Sequence, residues 1–168
     1  MTDQDPTSER EILTWDLFGE ATRSLAQAVA DDGFQPDMVL AVARGGLTVA
    51  GALAYALSVK NCFAMNVEFY TGVDERLDIP VMLPPTLNMV DIRGLNVLVA
   101  DDVADTGKTL ELVRDTIAEY VSEARTAVLY QKPHSIIDCA YVWRHTDQWI
   151  NFPWSDKPPI VGRSGVDA

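Results

Sequence analysis

The chain has 168 residues, of which 48% are hydrophobic and 23% are charged. This length and composition predict one globular domain and exclude a disordered, collagen-like or coiled-coil chain. The 13 basic and 25 acidic residues give a formal net charge of −12, which argues against broad nucleic-acid binding because the phosphate backbone is itself an anion. The charge does not exclude one small phosphorylated ligand, since a local nest of backbone N–H groups can bind an anion.

The apolar runs and the cysteines indicate the compartment. No apolar run approaches the roughly 18 residues that a membrane span needs, and the first residues, MTDQDPTSER, are polar. Cys62 and Cys139 lie in apolar, strand-like stretches without metal-ligand spacing, so we predict two buried thiols in a reducing compartment. We therefore expect a cytoplasmic protein that does not bind a membrane.

Short apolar runs alternate with amphipathic helical patterns along the chain. Thr14 can cap a first helix, whose apolar positions recur at helical spacing, and residues 38–43 (MVLAVA) predict a strand buried on both faces. Further strands are predicted at residues 62–70, 97–100, 127–130 and 140–143, and further helices at residues 47–57 and 109–121. This alternation predicts an α/β fold, a doubly wound, mostly parallel sheet flanked by helices.

Three segments lie outside this alternation. Residues 1–10 and 161–168 are predicted to be flexible tails on either side of a single domain, residues 11–160. Residues 71–94 contain three prolines and mixed charge. A loop of this length in a compact domain is expected to be a lid or to contain strands of its own, and we predict a mobile lid.

The sequence VLVADDVADTGKTL, residues 97–110, has the pattern of a ligand site. A buried strand leads into Asp101 and Asp102, and a polar turn, residues 105–109, then opens a helix. Ligands of open α/β sheets bind beyond the carboxyl ends of the strands, and the free N–H groups of a helix N-terminus favour an anion. A helix cap alone would need one polar residue at this turn, so the preceding pair of carboxylates favours a functional site.

One competing motif fails at this turn. Gly107, Lys108 and Thr109 match the end of the P-loop pattern G-x-x-x-x-G-K-[ST], but Asp102 stands where that pattern needs its first glycine. A carboxylate at that position would repel a triphosphate, which excludes a P-loop nucleotide hydrolase.

The segment VLVADDVADTGKT resembles the motif for 5-phosphoribosyl diphosphate (PRPP) of the type I phosphoribosyltransferases. The resemblance covers about residues 15–158. It is closest to the short bacterial xanthine–guanine enzymes, through AVARGGL, YTGVDER, a late QKP and QWINFPW. It implies an Mg²⁺-dependent transfer of the phosphoribosyl group to a 6-oxopurine in purine salvage, with a small hood, formed by the N-terminal helix and the C-terminal segment, over the base. It also implies a dimer or tetramer.

The resemblance assigns roles to the PRPP side of the site. Asp101 and Asp102 would face the ribose hydroxyls, with Asp102 next to Mg²⁺. The turn of Arg44 and Gly45 would bind pyrophosphate, and Arg76 in the lid would close over it. The 5′-phosphate would be held by Thr106, Gly107, Lys108 and Thr109.

On the base side, the resemblance implies that Asp105 lies beside the five-membered ring of the purine as proton acceptor or hydrogen-bond partner. Lys132 would donate to the 6-oxygen, Trp149 would stack on the base, and the Ile150 backbone would read the 2-position edge. Asn151 stands where the xanthine–guanine enzymes commonly carry an acidic residue, so the choice among guanine, xanthine and hypoxanthine stays open.

Two alternatives remain beside this interpretation. One is a phosphoribosyltransferase for another base such as a pyrimidine. The other is a non-catalytic regulator that keeps the fold and binds PRPP or a nucleotide. His134 and His145 match no position of the resemblance and show no metal-ligand spacing.

Overall fold

The structure, a computed structural model, describes residues 9–72, 75–83 and 87–162. Over these residues the elements are, in chain order, β1 (Arg10–Ile12), α1 (Trp15–Asp31), β2 (Met38–Ala43), α2 (Gly45–Ala56), β3 (Cys62–Gly72), β4 (Glu75–Leu83), β5 (Asn96–Ala104), α3 (Lys108–Ala118), β6 (Glu123–Gln131), β7 (Tyr141–His145) and β8 (Trp149–Asn151). Within these described ranges, the structure contains no helix that is long and apolar enough to cross a membrane.

The main sheet has six strands in the order β4-β3-β2-β5-β6-β7. The strands β3, β2, β5, β6 and β7 are parallel, and β4 is antiparallel to β3. This arrangement confirms the predicted α/β fold. The order also places the carboxyl ends of β2, β5 and β6 side by side, at the edge where α/β proteins bind their ligands.

Apolar residues cover both faces of the sheet, as the continuous run of β2 predicts. Val39 and Ala41 pack in one core with α1 and α2, whereas Leu40 and Val42 pack in a second core with α3. Successive residues of a strand point to opposite faces, so an all-apolar strand needs helices on both sides. The helices lie on both sides here, which makes the sheet doubly wound.

The first helix begins as its sequence predicts. Thr14 is the N-cap, and its side chain accepts a hydrogen bond from the N–H of Leu17 at 3.2 Å. The helix then packs on the sheet and on α2, so it forms part of the main core.

The predicted lid, residues 71–94, contains ordered elements where it is described. Its residues 75–83 form β4, which pairs with β3 as an antiparallel hairpin, and Leu87 and Ile92 are buried in the second core. Residues 73–74 and 84–86 lie outside the described residues. The hairpin forms the outer edge of the sheet, and the end of the segment belongs to the core.

Two short strands form a separate parallel sheet beside the main one. β1 pairs with β8 in the register Arg10 to Trp149 and Ile12 to Asn151. Aromatic rings pack beneath it, with Phe152 stacked on Trp154 at a centroid distance of 5.0 Å. This pairing brings residues 10–12 and 149–151 together near the carboxyl edge of β6.

The prediction for Cys62 is wrong, since Cys62 is exposed while Cys139 is buried. Cys62 is the first residue of β3, and the neighbouring strand β4 pairs with β3 only from Asn66 onward. The side chain therefore lies at a part of the sheet that has no neighbouring strand on that side in the described residues.

Candidate functional site

The two acidic residues lie within β5 itself. The strand runs through Asp101 and Asp102 to Ala104, and the carboxylate of Asp101 accepts the N–H of Asp102 at 2.8 Å. Burial raises the pKa of Asp101 well above its ordinary value, and the neighbouring charge of Asp102 raises it further. Burial also raises the pKa of Asp102, partly offset by hydrogen bonds from the Val103 N–H and the Trp154 side chain. Two partly buried carboxylates side by side favour a bound cation.

The turn between β2 and α2 lies directly against these carboxylates. A Cβ built on Gly45 would overlap the Asp102 carboxylate, and one built on Gly46 would lie 2.5 Å from the Ala100 carbonyl oxygen. Arg44 is exposed at the N-cap of α2, and the Ala43–Arg44 peptide bond is cis. The structure therefore brings the turn of Arg44 and Gly45 next to Asp101 and Asp102.

The polar turn after β5 opens α3. Gly107 is the N-cap with a φ of 80°, a left-handed conformation that favours glycine. Glycine has no side chain to cap the helix, and the Lys108 N–H donates to the Thr106 hydroxyl oxygen at 3.4 Å. The first N–H groups of a helix have no acceptor within the helix, and such donors suit an anion.

The chain between β6 and β7 packs against this turn. The N–H of Lys132 donates to the Ala104 carbonyl at 3.0 Å, and the N–H of Ile136 donates to the Thr106 carbonyl at 2.9 Å. A Cβ built on Gly107 would lie 2.5 Å from the Ser135 hydroxyl oxygen. We call residues 104–107 and 132–137 the paired loops, since these contacts hold the two segments as one unit.

The paired loops also join Asp105 to a histidine. Nε2 of His134 lies 2.9 Å from Oδ1 of Asp105, and each side chain is 63% exposed. Sequence reasoning gave His134 no role, because the two positions are 29 residues apart and no local pattern shows the contact.

Lys132 connects the paired loops to the small sheet. Its ammonium donates to the Gln148 carbonyl oxygen, immediately before β8. Trp149 in that strand is 56% exposed, and Ile150 is buried. The three residues assigned to the base therefore lie together, next to the turn that holds Asp105.

The structure also places Arg76 and Trp154. Arg76 lies in β4, opposite Thr71 of β3; its side chain is not among the described parts of the structure, so its contact with pyrophosphate stays a prediction. Trp154 packs in the aromatic cluster with Phe18 and Phe152, and its side chain also donates a hydrogen bond to Asp102. No sequence signal marks that second contact.

The carboxyl edge of the sheet thus gathers an acid pair, an arginine turn, a helix-opening turn and a lysine beside an exposed tryptophan. These groups lie where α/β enzymes bind their ligands. Residues 8–157 match the family described as the phosphoribosyl transferase domain. The chain belongs to this family and is a phosphoribosyltransferase.

Known relatives agree with this membership. The chain is 33% identical over 153 residues to a xanthine-guanine phosphoribosyltransferase of Roseobacter denitrificans, covering 84% of this chain and 83% of that protein. It is 30% identical over 161 residues to one of Cereibacter sphaeroides, covering 92% of each. A purine phosphoribosyltransferase structure from Pyrococcus horikoshii is 34% identical, with a TM-score of 0.76 over 91% of this chain and 99% of that one.

Proposed function

We propose that this phosphoribosyltransferase transfers the 5-phosphoribosyl group of PRPP to a 6-oxopurine, namely guanine, xanthine or hypoxanthine, in purine salvage. The products are the nucleoside monophosphate and pyrophosphate. The observation that carries the choice of base is the position of Lys132, a cation held between the Asp105 turn and the exposed Trp149. A cation there favours a base that presents an oxygen. The similarity to enzymes named for xanthine and guanine supports the same choice.

The reaction breaks the bond between C1 of the ribose and a pyrophosphate oxygen and forms a bond from C1 to a ring nitrogen of the purine. Positive charge develops on the ribose and negative charge on the leaving group. In this proposal Asp101 and Asp102 face the ribose and stabilise the positive charge, while Arg44, with the Gly45 turn, binds the pyrophosphate. Arg76 closes over the pyrophosphate from the lid.

The donors at the start of α3 hold the 5′-phosphate in this proposal. The N–H groups and hydroxyls of residues 106–109 bind its oxygens, which fixes the ribose over the acid pair. Gly107 lets the chain approach the phosphate closely, because it lacks a side chain.

The base occupies the space between Asp105 and Trp149. Asp105 accepts the proton, or a hydrogen bond, from the N–H of the five-membered ring, and a positioned carboxylate in such a role contributes about 10²–10⁴-fold in rate. Lys132 donates to the 6-oxygen, Trp149 stacks on the rings, and the Ile150 backbone reads the 2-position edge. Adenine is disfavoured because its 6-amino group is a donor that would meet another donor.

The acid pair also fits Mg²⁺. Asp101 and Asp102 offer carboxylate oxygens, the ligands this ion prefers, and burial raises the pKa of each, so a cation beside them would offset the buried charge. No cluster of three or more His, Cys, Asp or Glu side chains suited to a metal occurs within the described ranges. In this proposal Asp102 would hold the ion together with substrate oxygens, and the ion would neutralise charge on the pyrophosphate.

A panel of bases at fixed PRPP and Mg²⁺ tests the proposal. Guanine, xanthine, hypoxanthine, adenine and uracil are each mixed with the enzyme, and the ultraviolet change and pyrophosphate release are recorded. We expect turnover of at least one 6-oxopurine and a kcat/KM for adenine lower by at least about 100-fold. Turnover of uracil alone would assign another base, and PRPP binding without turnover of any base would indicate a regulator.

A Lys132→Met variant in the same panel tests the role of the ammonium. Its loss is expected to lower kcat/KM for the preferred 6-oxopurine more than for adenine, so the preference for the 6-oxopurine over adenine becomes smaller. An equal loss for both bases would remove Lys132 from base selection.

A further inference from the structure

His134 contacts the carboxylate that acts on the purine in the proposed function. Its Nε2 lies 2.9 Å from Oδ1 of Asp105. Both side chains are 63% exposed, so burial holds neither of them in place and a ligand can reach both. An exposed aspartate samples several rotamers, whereas a hydrogen bond to its charged form favours one of them.

The backbone fixes His134 at this place. Two hydrogen bonds flank it, from the Lys132 N–H to the Ala104 carbonyl and from the Ile136 N–H to the Thr106 carbonyl. The Ser135 N–H also donates to the Lys132 carbonyl at 3.1 Å, which folds the segment into a turn. The imidazole is therefore held beside Asp105 by contacts that do not involve its own side chain.

We propose that His134 is a positioning residue of the transfer reaction. Its Nε2–H donates to Oδ1 of Asp105, fixes the rotamer of the carboxylate, and leaves Oδ2 to accept the N–H of the five-membered ring of the purine. This inference rests on the proposed function. It adds to that function a residue that acts on the base through Asp105 and does not touch PRPP.

Three variants of His134 separate a positioning role from a structural one. His134→Ala removes the donor, His134→Asn keeps an N–H on a shorter side chain, and His134→Gln carries an N–H at about the reach of Nε2. We expect Ala and Asn to lower kcat/KM for the purine about tenfold, with the KM for PRPP unchanged, and Gln to recover to within about threefold of the wild type. His145→Ala, at the exposed end of β7, is the matched control and leaves the kinetics unchanged.

Wild-type activity of His134→Ala, a loss in His134→Gln as large as in His134→Ala, or a loss confined to PRPP would each overturn the positioning role. The thermal unfolding midpoints of all variants are expected to match the wild type because the side chain is exposed. Absence of purine turnover in the wild-type enzyme would overturn the proposed function, whereas normal wild-type turnover with an unaffected His134→Ala overturns only this inference.

An NMR measurement tests the contact without any turnover. The chain has two histidines, so the imidazole signals of His134 and His145 are assigned by one substitution each. Asp105→Asn is expected to change the chemical shifts of the His134 imidazole, because the carboxylate beside its Nε2 becomes an amide, and to leave those of His145 unchanged. Unchanged His134 signals would contradict the hydrogen bond itself.

Discussion

Asp105 is the one carboxylate of the site that lies exposed on a turn. Asp101 and Asp102 are held in β5, whereas Asp105 is 63% exposed and contacts His134. A carboxylate so placed can reach a ligand without losing a strand or core contact. Its substitution is therefore expected to affect chemistry more than folding.

We expect Asp105→Ala to lower turnover of the preferred 6-oxopurine at least about tenfold, because the ring proton loses its acceptor. The affinity for PRPP changes little, since the phosphate and ribose contacts remain. Steady-state kinetics give the first quantity and calorimetric titration with PRPP and Mg²⁺ gives the second. Asp115→Ala, an exposed carboxylate on α3, serves as the control, and full activity of Asp105→Ala would remove Asp105 from the mechanism.

The two cysteines are predicted to differ in reactivity. Burial raises the pKa of Cys139 to about 11, so at pH 8 its thiolate, the reactive form, is nearly absent, while Cys62 is exposed. Titration of the native protein with a chromogenic disulfide at pH 8 is expected to label one thiol per chain, and two in denaturant. Cys62→Ser abolishes the native labelling; labelling that persists in this variant would contradict the burial of Cys139.

Sequence reasoning located the continuous motifs in the fold and missed contacts between segments that are far apart in the chain. The residues of the DDVADTGKT stretch occupy the edge of the sheet where that motif predicts them. His134 and Trp154 contact Asp105 and Asp102 across 29 and 52 residues of chain. Nothing in the local sequence reports such a contact, because the fold alone sets it.

The paired loops are the element on which the site depends. Gly107 combines a φ of 80° with contact to the neighbouring loop, where an added Cβ would lie 2.7 Å from Cγ2 of Ile137 and 3.0 Å from its backbone nitrogen. Gly33 has a similar φ of 73° but nothing within 4 Å of an added Cβ. Comparing alanine variants at the two positions therefore separates the cost of a positive φ from the cost of steric contact with the neighbouring loop.

Gly33→Ala is expected to destabilise the protein by about 1 kcal/mol through its backbone conformation alone. Gly107→Ala also displaces residues 132–137, so we expect it to lower the free energy of unfolding by about 1 kcal/mol more than Gly33→Ala does. We also expect Gly107→Ala to weaken PRPP binding at least about tenfold. Denaturant unfolding and PRPP titration measure the two effects. Equal stability of the two variants, or normal PRPP affinity of Gly107→Ala, would contradict the close packing of the loops.

Secondary structure was predictable where the apolar pattern was long. β2 and α3 appear nearly where the sequence indicates, but β5 continues through Asp101 and Asp102 to Ala104. Those polar residues look like the end of a strand, yet β6 on one side continues the pairing as far as Gln131. β1 and β8 have three residues each and exist through their pairing with one another, which no local pattern reveals.

The acid pair is proposed to bind substrate, but its burial lowers the stability of the folded molecule when the carboxylates are ionised. The pKa of Asp101 is raised by burial and by Asp102. The contribution of Asp101 to stability is therefore fully present below the ordinary pKa of an aspartate and is lost as the pH rises through the raised folded value. Above that raised value the folded protein contains a carboxylate that would be better solvated in the unfolded chain.

Asp101→Asn removes this cost. In the absence of divalent cations we expect the variant to be more stable than the wild type by about 1 kcal/mol at pH 8. This difference in stability shrinks toward zero as the pH falls to 4. We also expect the variant to have lower transferase activity. Thermal unfolding across this pH range measures the difference. Asp105→Asn, at an exposed carboxylate, is the matched control with little change in stability, and a constant difference at all pH values would contradict the raised pKa.

The hydrogen bonds between the paired loops also bear on how base preference can evolve. They fix the distance between the Gly107 turn and the backbone of Lys132 in the absence of substrate. A change in one loop displaces the other, so substitutions at residues 132–137 that select a new purine are expected also to weaken binding at the proposed phosphate-binding turn. β8 is tied to this unit through the Lys132 contact to Gln148 and pairs otherwise with β1. Substitutions that change base preference are therefore expected to occur mainly at Trp149–Asn151.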